Sequence, residues 1–491
     1  FLSFFLSFLL LSTFLKNIPV IRKKNGEVLT SKQFLLEYKA LKNYCLNTFQ
    51  DDSIVAIQFD KDYRYIMSIL ACMEIGLTYV PLHIEFPNER VKQIKSIASF
   101  DEIINDELFD VIITSQSETN RASSFTLNSD KILYIMFTSG STGEPKGVEI
   151  KRESYQNFLM WIDDYFDINK GDVVLNTTEF TFDVSLVDVG LLIVKQTEIV
   201  FSNFNNNIFR LLSELEKYKI TTIATVPNNF SMMLVNELMS RVDLSNLKYA
   251  LIAGSRFPFN LYEKFGLYLP NTQVYNCYGP TEFTIYCIVK KLNKIYDICR
   301  GIVSVGSPIL NTKFKIVDDK LNCVTNSTEG ELVIGGIQLM QGYKNRPDQT
   351  HEAIVEIDGF MYYKTGDIAF SDENNNCYIT GRKDDTVKIS GFRVNLSDID
   401  AYIHKLACVK DSQTIYVDID DTPSYLVSFI ILDTEVLKTE ITRDLKEILP
   451  NFQMPKYIEI IKEFPLNNSG KICKKTLLEK FKYNKYSAPT N

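Results

Sequence analysis

The chain has 491 residues, 45% of them hydrophobic and 23% charged, which is too long for a single hydrophobic core and suits two or more globular domains. Its net charge of −8 is spread along the sequence, and no basic run marks a nucleic-acid or anionic-membrane footprint, which argues against both partners. Nine scattered cysteines without a C-x-x-C pair fit a reducing cytoplasm, and His83, His351 and His404, the only histidines, are a poor basis for a histidine metal site or a catalytic triad.

In chain order, the uncharged stretch Phe1–Leu15 comes first. It is shorter than the roughly 20 residues of a membrane-spanning helix and reads as a first helix packed on the large domain. From about Ser53 to Asp130, apolar runs such as SIVAIQF and TYVPL alternate with helix-like stretches such as YRYIMSILACMEIG. That alternation predicts strand–helix units of a parallel sheet. The texture continues through VVLNTTEFTFDVS, ITTIATVPNNF, YALIAGSRF and QVYNCYGPTEF. Each ends an expected strand in a polar or glycine-containing loop, where α/β sheets place their ligands. After about Gly330, glycine-punctuated strands predict a smaller β-rich unit, and GRKDDTVKISG opens a last segment short enough for one α+β domain.

The stretch FTSGSTGEPKG, Phe137–Gly147, follows the apolar run KILYIMF. Its glycines allow close backbone approach, Thr138, Ser139, Ser141 and Thr142 supply hydroxyls, and Lys146 supplies a positive charge, the inventory for gripping phosphate oxygens. The spacing is not G-x-x-x-x-G-K-[ST], and no G-x-G-x-x-G occurs, so neither a P-loop NTPase nor a dinucleotide fold is supported. By itself the loop fits phosphate binding and a plain surface turn equally.

The loop resembles the signature loop of the adenylate-forming superfamily, which includes peptide-synthetase adenylation domains, D-alanine–carrier-protein ligases, acyl-CoA synthetases and luciferases. LTYVPL, TFDVS, NCYGPTEF, GELVIGGIQLMQGY, YKTGD, GRKDDTVKISGFRV and PLNNSGK follow in the family's order. The resemblance implies an acyl-adenylate synthetase fold: a large N-terminal core of layered α/β subdomains with a β-rich unit, residues 1–381, and a small mobile α+β lid, residues 382–491. It implies a ligase that joins a carboxylate to the α-phosphate of ATP with Mg²⁺, expels pyrophosphate and passes the acyl group to a thiol. Such a phosphoryl-centre displacement relies on positioning and charge neutralisation.

By the same resemblance, Thr138, Ser139, Gly140, Ser141, Thr142, Gly143 and Lys146 would cover the β- and γ-phosphates. Tyr278 would stack on adenine, Thr281 would bind the α-phosphate and Glu282 would help hold Mg²⁺. Gly254, Ser255, Asn276 and Gly279 would complete the nucleotide site, with Asp367 on the ribose hydroxyls and Arg382 on ribose or phosphate. Lys471 would be the catalytic lysine between substrate carboxylate and α-phosphate, and Asp384 would mark the hinge of the lid. Asn395 departs from the glutamate that the family commonly has after GFRV, and NNSGK varies around its lysine.

Asp183 in FTFDVS matches the aspartate that pairs with the substrate α-ammonium in amino-acid-activating members. Projecting the family's pocket onto this chain adds Val184, Val187, Asn229, Leu251, Ala253, Cys277, Ile285 and Tyr286, a largely apolar set with no second charge. A small or apolar amino acid is the expected substrate, FDVSLVD being closest to the D-alanine ligases. The expected acceptor is the phosphopantetheine thiol of a separate carrier protein. An acyl- or aryl-CoA synthetase acting on a plain carboxylic acid is the alternative, and a non-catalytic scaffold the third reading.

Overall fold

The structure is a computed structural model and describes residues 14–15, 17–115, 130–138, 144–204, 207–293, 297–383, 386–389, 392–418, 424–465 and 472–486. Of the apolar N-terminal stretch, only Phe14 and Leu15 fall within it. Phe14 is fully buried, edge-on to Phe34 with ring centroids 6.2 Å apart. Among the described residues no helix is long and apolar enough to cross a membrane.

The chain divides into two compact units, residues 1–86, 91–138 and 146–384 forming the larger and essentially residues 385–491 the smaller. The larger contains the predicted parallel sheets. Strands Ile54–Ile57, Thr78–Pro81 and Glu102–Ile104 pair in parallel, and Thr78–Pro81 pairs in parallel with Ile132–Thr138. Between the first two strands runs helix Tyr63–Ile75. Asp62 accepts the Arg64 amide at its start, and Gly76, at φ +90, supplies the left-handed stop. The polarity then reverses: Ile132–Thr138 and Lys146–Lys151 are antiparallel, with Thr138 opposite Lys146. Thr138 and Lys146, which flank the glycine- and hydroxyl-rich stretch, are therefore held opposite each other.

In the nine-stranded sheet, Val173–Asn176, Thr222–Thr225, Tyr249–Ile252 and Gln273–Tyr278 are successive parallel neighbours. Their carboxyl ends consequently share one sheet edge, bringing the loops with Asp183, Ala253 and Gly279 beside Asn229, which lies in the helix Pro227–Met233. Both faces of this sheet are covered. Val174, Ile199 and Leu251 join one apolar cluster with Tyr79, Tyr134, Phe158 and Leu186, while Leu175, Val200 and Ile252 join another with Leu211, Phe230 and Phe265. Two-sided burial explains why these strands read as continuous apolar runs without alternation.

The β-rich unit is an antiparallel five-stranded sheet of Thr312–Val317, Gly330–Gly336, Phe360–Ser371, Ile354–Ile357 and Cys377–Arg382. It starts before the expected Gly330, because TKFKIV, with lysines alternating with apolar residues, lacks the glycine punctuation used to find the rest. The smaller unit has a sheet of Val409–Val417, Tyr425–Leu432 and Tyr457–Ile460 and helices Leu396–Ile403, Lys438–Lys446 and Lys474–Tyr486. Its core gathers Val394, Ile399, Ile430, Ile441 and Leu445.

Candidate active site

Tyr278 ends the strand Gln273–Tyr278, and its hydroxyl donates to Asp367 Oδ2 at 2.5 Å. Asp367 lies in Phe360–Ser371, directly across from Arg382 in the sheet register, and Arg382 Nη1 donates to Asp367 Oδ1 at 2.7 Å. Three residues from separate motifs thus form one buried junction. Burial, then the Asp367 charge, pushes the Tyr278 phenol well above its usual range, so it acts as a neutral donor. Each Asp367 oxygen accepts one bond here and has geometric capacity for another, which suits a vicinal diol. Asn276 is buried with its amide Nδ2 committed to Ser304 O at 2.8 Å. Gly254, at φ +88, turns the chain after Tyr249–Ile252, with Ser255 half-buried beside it. Gly279 is required sterically: a Cβ there would sit 1.8 Å from the Ile285 carbonyl oxygen.

Lys146 Nζ lies 5.2 Å from the centroid of the Tyr343 ring, and the Tyr343 hydroxyl donates to Glu282 Oε1 at 2.9 Å. Tyr343 belongs to an edge strand paired with Lys146–Lys151. Lys146 and the Glu282 carboxylate are therefore joined through Tyr343. Thr281 and Glu282 open the 3₁₀ turn Thr281–Phe283, and Met340 N donates to the Glu282 carbonyl at 2.9 Å. Among the described residues no group of three or more acidic, histidine or cysteine side chains could hold a metal. A single buried carboxylate is nonetheless the donor set Mg²⁺ takes when phosphate oxygens and water complete its shell. Ser139, Gly140, Ser141, Thr142, Gly143, Asp384 and Lys471 lie outside the described residues.

Asp183 is buried between strand Val173–Asn176 and helix Ser185–Val194, and its Oδ2 accepts from the Ile285 amide at 3.3 Å. Thr284 and Ile285 are left-handed, at φ +54 and +68. Val187, Leu251, Ala253, Cys277, Ile285 and Tyr286 are buried and Val184 is half-buried, while Asn229 Nδ2 is committed to Thr225 Oγ1 at 2.8 Å.

A family model described as "AMP-binding enzyme" matches residues 18–344. The chain belongs to this family. As an AMP-binding, adenylate-forming enzyme it is an ATP-dependent ligase. The enzyme is 28% identical to bacitracin synthase 3 of Bacillus licheniformis over 87% of its own chain and only 7% of that much longer protein. It is 26% identical to the D-alanine–D-alanyl carrier protein ligase of Bacillus cereus (strain G9842), over 92% of its chain and 94% of the relative. Among solved structures, the Vibrio cholerae adenylation domain AlmE in complex with glycyl-adenosine-5′-phosphate matches with TM-score 0.85 and 20% identity, over 97% of each chain. The fold is the acyl-adenylate synthetase fold.

The AMP-binding enzyme also buries two phenols near Asp183, Tyr286 from the projected set and Tyr134 from outside it. Among the described residues the Tyr134 and Tyr286 hydroxyls have no hydrogen-bond partner; burial raises both phenols well above their usual range, and the Asp183 charge adds to each. The Asp188 charge also raises Tyr286. Asp188 is 1% exposed, accepts from Asn176 Nδ2 at 2.8 Å on one oxygen and, among the described residues, has no partner on the other. Burial pushes its carboxyl up to about 7, opposed by the Asn176 bond and the Lys61 charge.

The consequence for stability has a definite sign. Folded Asp188 retains a proton that the unfolded chain releases near 3.8, the usual value for an aspartate, so stability falls as pH rises from about 4 to about 7 and levels off above. The fall is about 4 kcal/mol at most. Asp188→Asn, neutral throughout, is expected to remove this slope in urea titrations at stepped pH; an unchanged slope would place the proton elsewhere.

Proposed function

We propose that this enzyme activates a small amino acid as its aminoacyl-adenylate and transfers it to the phosphopantetheine thiol of a separate carrier protein in the cytoplasm. The observation that carries the reading is Asp183, a buried carboxylate at the shared carboxyl edge of the parallel strands, with its Oδ2 toward the Ile285 amide. A buried carboxylate in an otherwise uncharged pocket set is suited to a substrate ammonium. The D-alanine ligase relatives and the glycyl-adenylate bound by the Vibrio cholerae domain support a small side chain. The apolar wall and the two phenols contain no positive charge to match an acidic side chain.

In the first step a substrate carboxylate oxygen attacks the α-phosphorus of ATP, the bond to the bridging oxygen breaks, and pyrophosphate leaves. Tyr278 offers its ring to adenine while its hydroxyl orients Asp367 toward the ribose, and Arg382 fixes the other Asp367 oxygen. Lys146 and Thr138, at the base of the phosphate loop, neutralise and hold the outgoing phosphates. Mg²⁺ held by Glu282 and phosphate oxygens would supply further charge neutralisation. Lys471 is proposed to bridge the substrate carboxylate and α-phosphate, carried on a lid formed by residues 382–491 that turns about Asp384. In the second step the carrier thiolate attacks the acyl carbon, and AMP leaves as the thioester forms.

The test is exchange of labelled pyrophosphate into ATP across all L-amino acids, glycine, D-alanine and several plain carboxylic acids, with Lys471→Ala alongside. Exchange with a small amino acid, reduced about 10²–10³-fold in the variant, is expected. Exchange with plain carboxylic acids alone would transfer the reading to an acyl- or aryl-CoA synthetase. No exchange at all would favour a non-catalytic protein.

A further inference from the structure

We propose that Gln338 is the positioning residue that sets the loop closing the substrate pocket, and thereby governs recognition of the carboxylate substrate but not of ATP. The proposal rests on the reading of the Asp183 pocket as the substrate site. Gln338 is fully buried in the loop after Gly330–Gly336. Its side-chain Nε2 donates to the carbonyls of Thr284 at 2.9 Å, Tyr286 at 3.1 Å and, most weakly, Phe283 at 3.4 Å. Its own backbone carbonyl accepts from Thr284 Oγ1 at 2.8 Å. One glutamine thus binds the segment Phe283–Tyr286 from both its side chain and its backbone.

The orientation of that amide is fixed from behind. Gln338 Oε1 accepts from Asn157 Nδ2 at 2.9 Å, Asn157 Nδ2 also donates to Leu310 O at 2.9 Å, and Asn157 Oδ1 accepts from Asn311 Nδ2 at 2.8 Å. Exchanging O for N in either amide would set donor against donor or acceptor against acceptor, so one arrangement satisfies the chain of bonds.

The segment needs such a clamp. Thr284 and Ile285 are β-branched, yet both take left-handed backbone, at φ +54 and +68, a conformation that such residues keep only where their surroundings enforce it. This geometry aims the Ile285 amide at Asp183 Oδ2 and folds the Ile285 carbonyl onto Gly279, where no Cβ could fit. Without the Gln338 donors, the Thr284 and Tyr286 carbonyls lose their partner, and the pair is free to relax toward negative φ. Relaxation withdraws the Ile285 amide from Asp183 and moves the Tyr286 ring. The side-chain bonds of the Tyr278–Asp367–Arg382 junction do not involve Gln338, and the Tyr278 backbone keeps its own bond from the Cys287 amide at 2.8 Å.

The test compares KM for ATP with KM for the acid the parent enzyme activates best, with or without an amino group, in pyrophosphate exchange. Gln338→Leu, similar in size but without donors, is expected to raise the acid KM about 10–100-fold and leave the ATP KM within about twofold. Asn157→Ala, which frees the amide to turn, is expected to shift the acid KM in the same direction by about 3–10-fold. If Gln338→Leu does not fold, Asn157→Ala and Thr284→Val decide by the same criterion, with Tm as the folding control. Both KM values rising together, or neither moving in a folded variant, overturns the proposal. A parent that prefers an acid without an amino group refutes the amino-acid reading and leaves this test in force; a parent that activates no acid overturns both.

Discussion

Asp183→Ala is expected to lower kcat/KM for the amino-acid substrate by about 10²–10³-fold while leaving the ATP KM within about twofold. Asp183 is 7% exposed, so a substrate ammonium that pairs with it leaves water to do so. Removing one partner of a buried charge pair costs about 3–5 kcal/mol, and each 1.4 kcal/mol is a factor of about ten. Asp183→Asn is the sharper variant. It keeps the volume and an oxygen for the Ile285 amide, and so preserves the pocket while removing the charge. It is expected to match the alanine variant for amino acids and to narrow the gap between an amino acid and the acid that lacks only its amino group. Asparagine activity within threefold of the parent would show that Asp183 holds the loop and does not bind an ammonium.

What the sequence reveals here depends on whether a residue's partner is local or distant. Tyr278, Asp367 and Arg382 are legible because each sits inside a motif, although only folding brings Tyr278 onto a residue 89 positions away. The parallel sheets are legible for a similar reason: apolar runs of strand length, separated by helical periods, leave few alternatives. Tyr343 and Gln338 lie within GELVIGGIQLMQGY, but their partners are Glu282 and the carbonyls of Phe283–Tyr286, more than fifty residues earlier. Nothing in the local pattern of that motif selects them. Asp188 is hidden differently. It follows Asp183 at the start of an apolar helix, where an acidic residue reads as favourable for the helix dipole, and only the packed core shows that its second oxygen has no partner. The TKFKIV strand is not legible because it lacks the glycine punctuation that marks the other strands of its sheet, and four of its six residues are only half-buried.

Asp367→Asn is expected to act at the opposite substrate, raising the ATP KM about 30–100-fold and leaving the acid KM within about threefold. Both carboxylate oxygens are engaged, by Tyr278 at 2.5 Å and by Arg382 at 2.7 Å. Asparagine has one oxygen, which the donor-only guanidinium takes, so the phenol is left to accept from the amide NH2 and the second acceptor for a ribose diol is lost. Arg382, with a side chain only 15% exposed, also loses its counter-ion, and a fall in Tm is expected beside the kinetic change. Tyr278→Phe separates the two functions of the tyrosine. The ring remains available for stacking, one hydrogen bond to the Asp367 carboxylate disappears while that of Arg382 stays, and the ATP KM is expected to rise only about 5–10-fold. If Tyr278→Phe instead equalled Asp367→Asn, the phenol would be the direct nucleotide contact and Asp367 its support. Opposite KM signatures at Asp183 and Asp367 would show two substrates recognised separately, each through its own buried carboxylate.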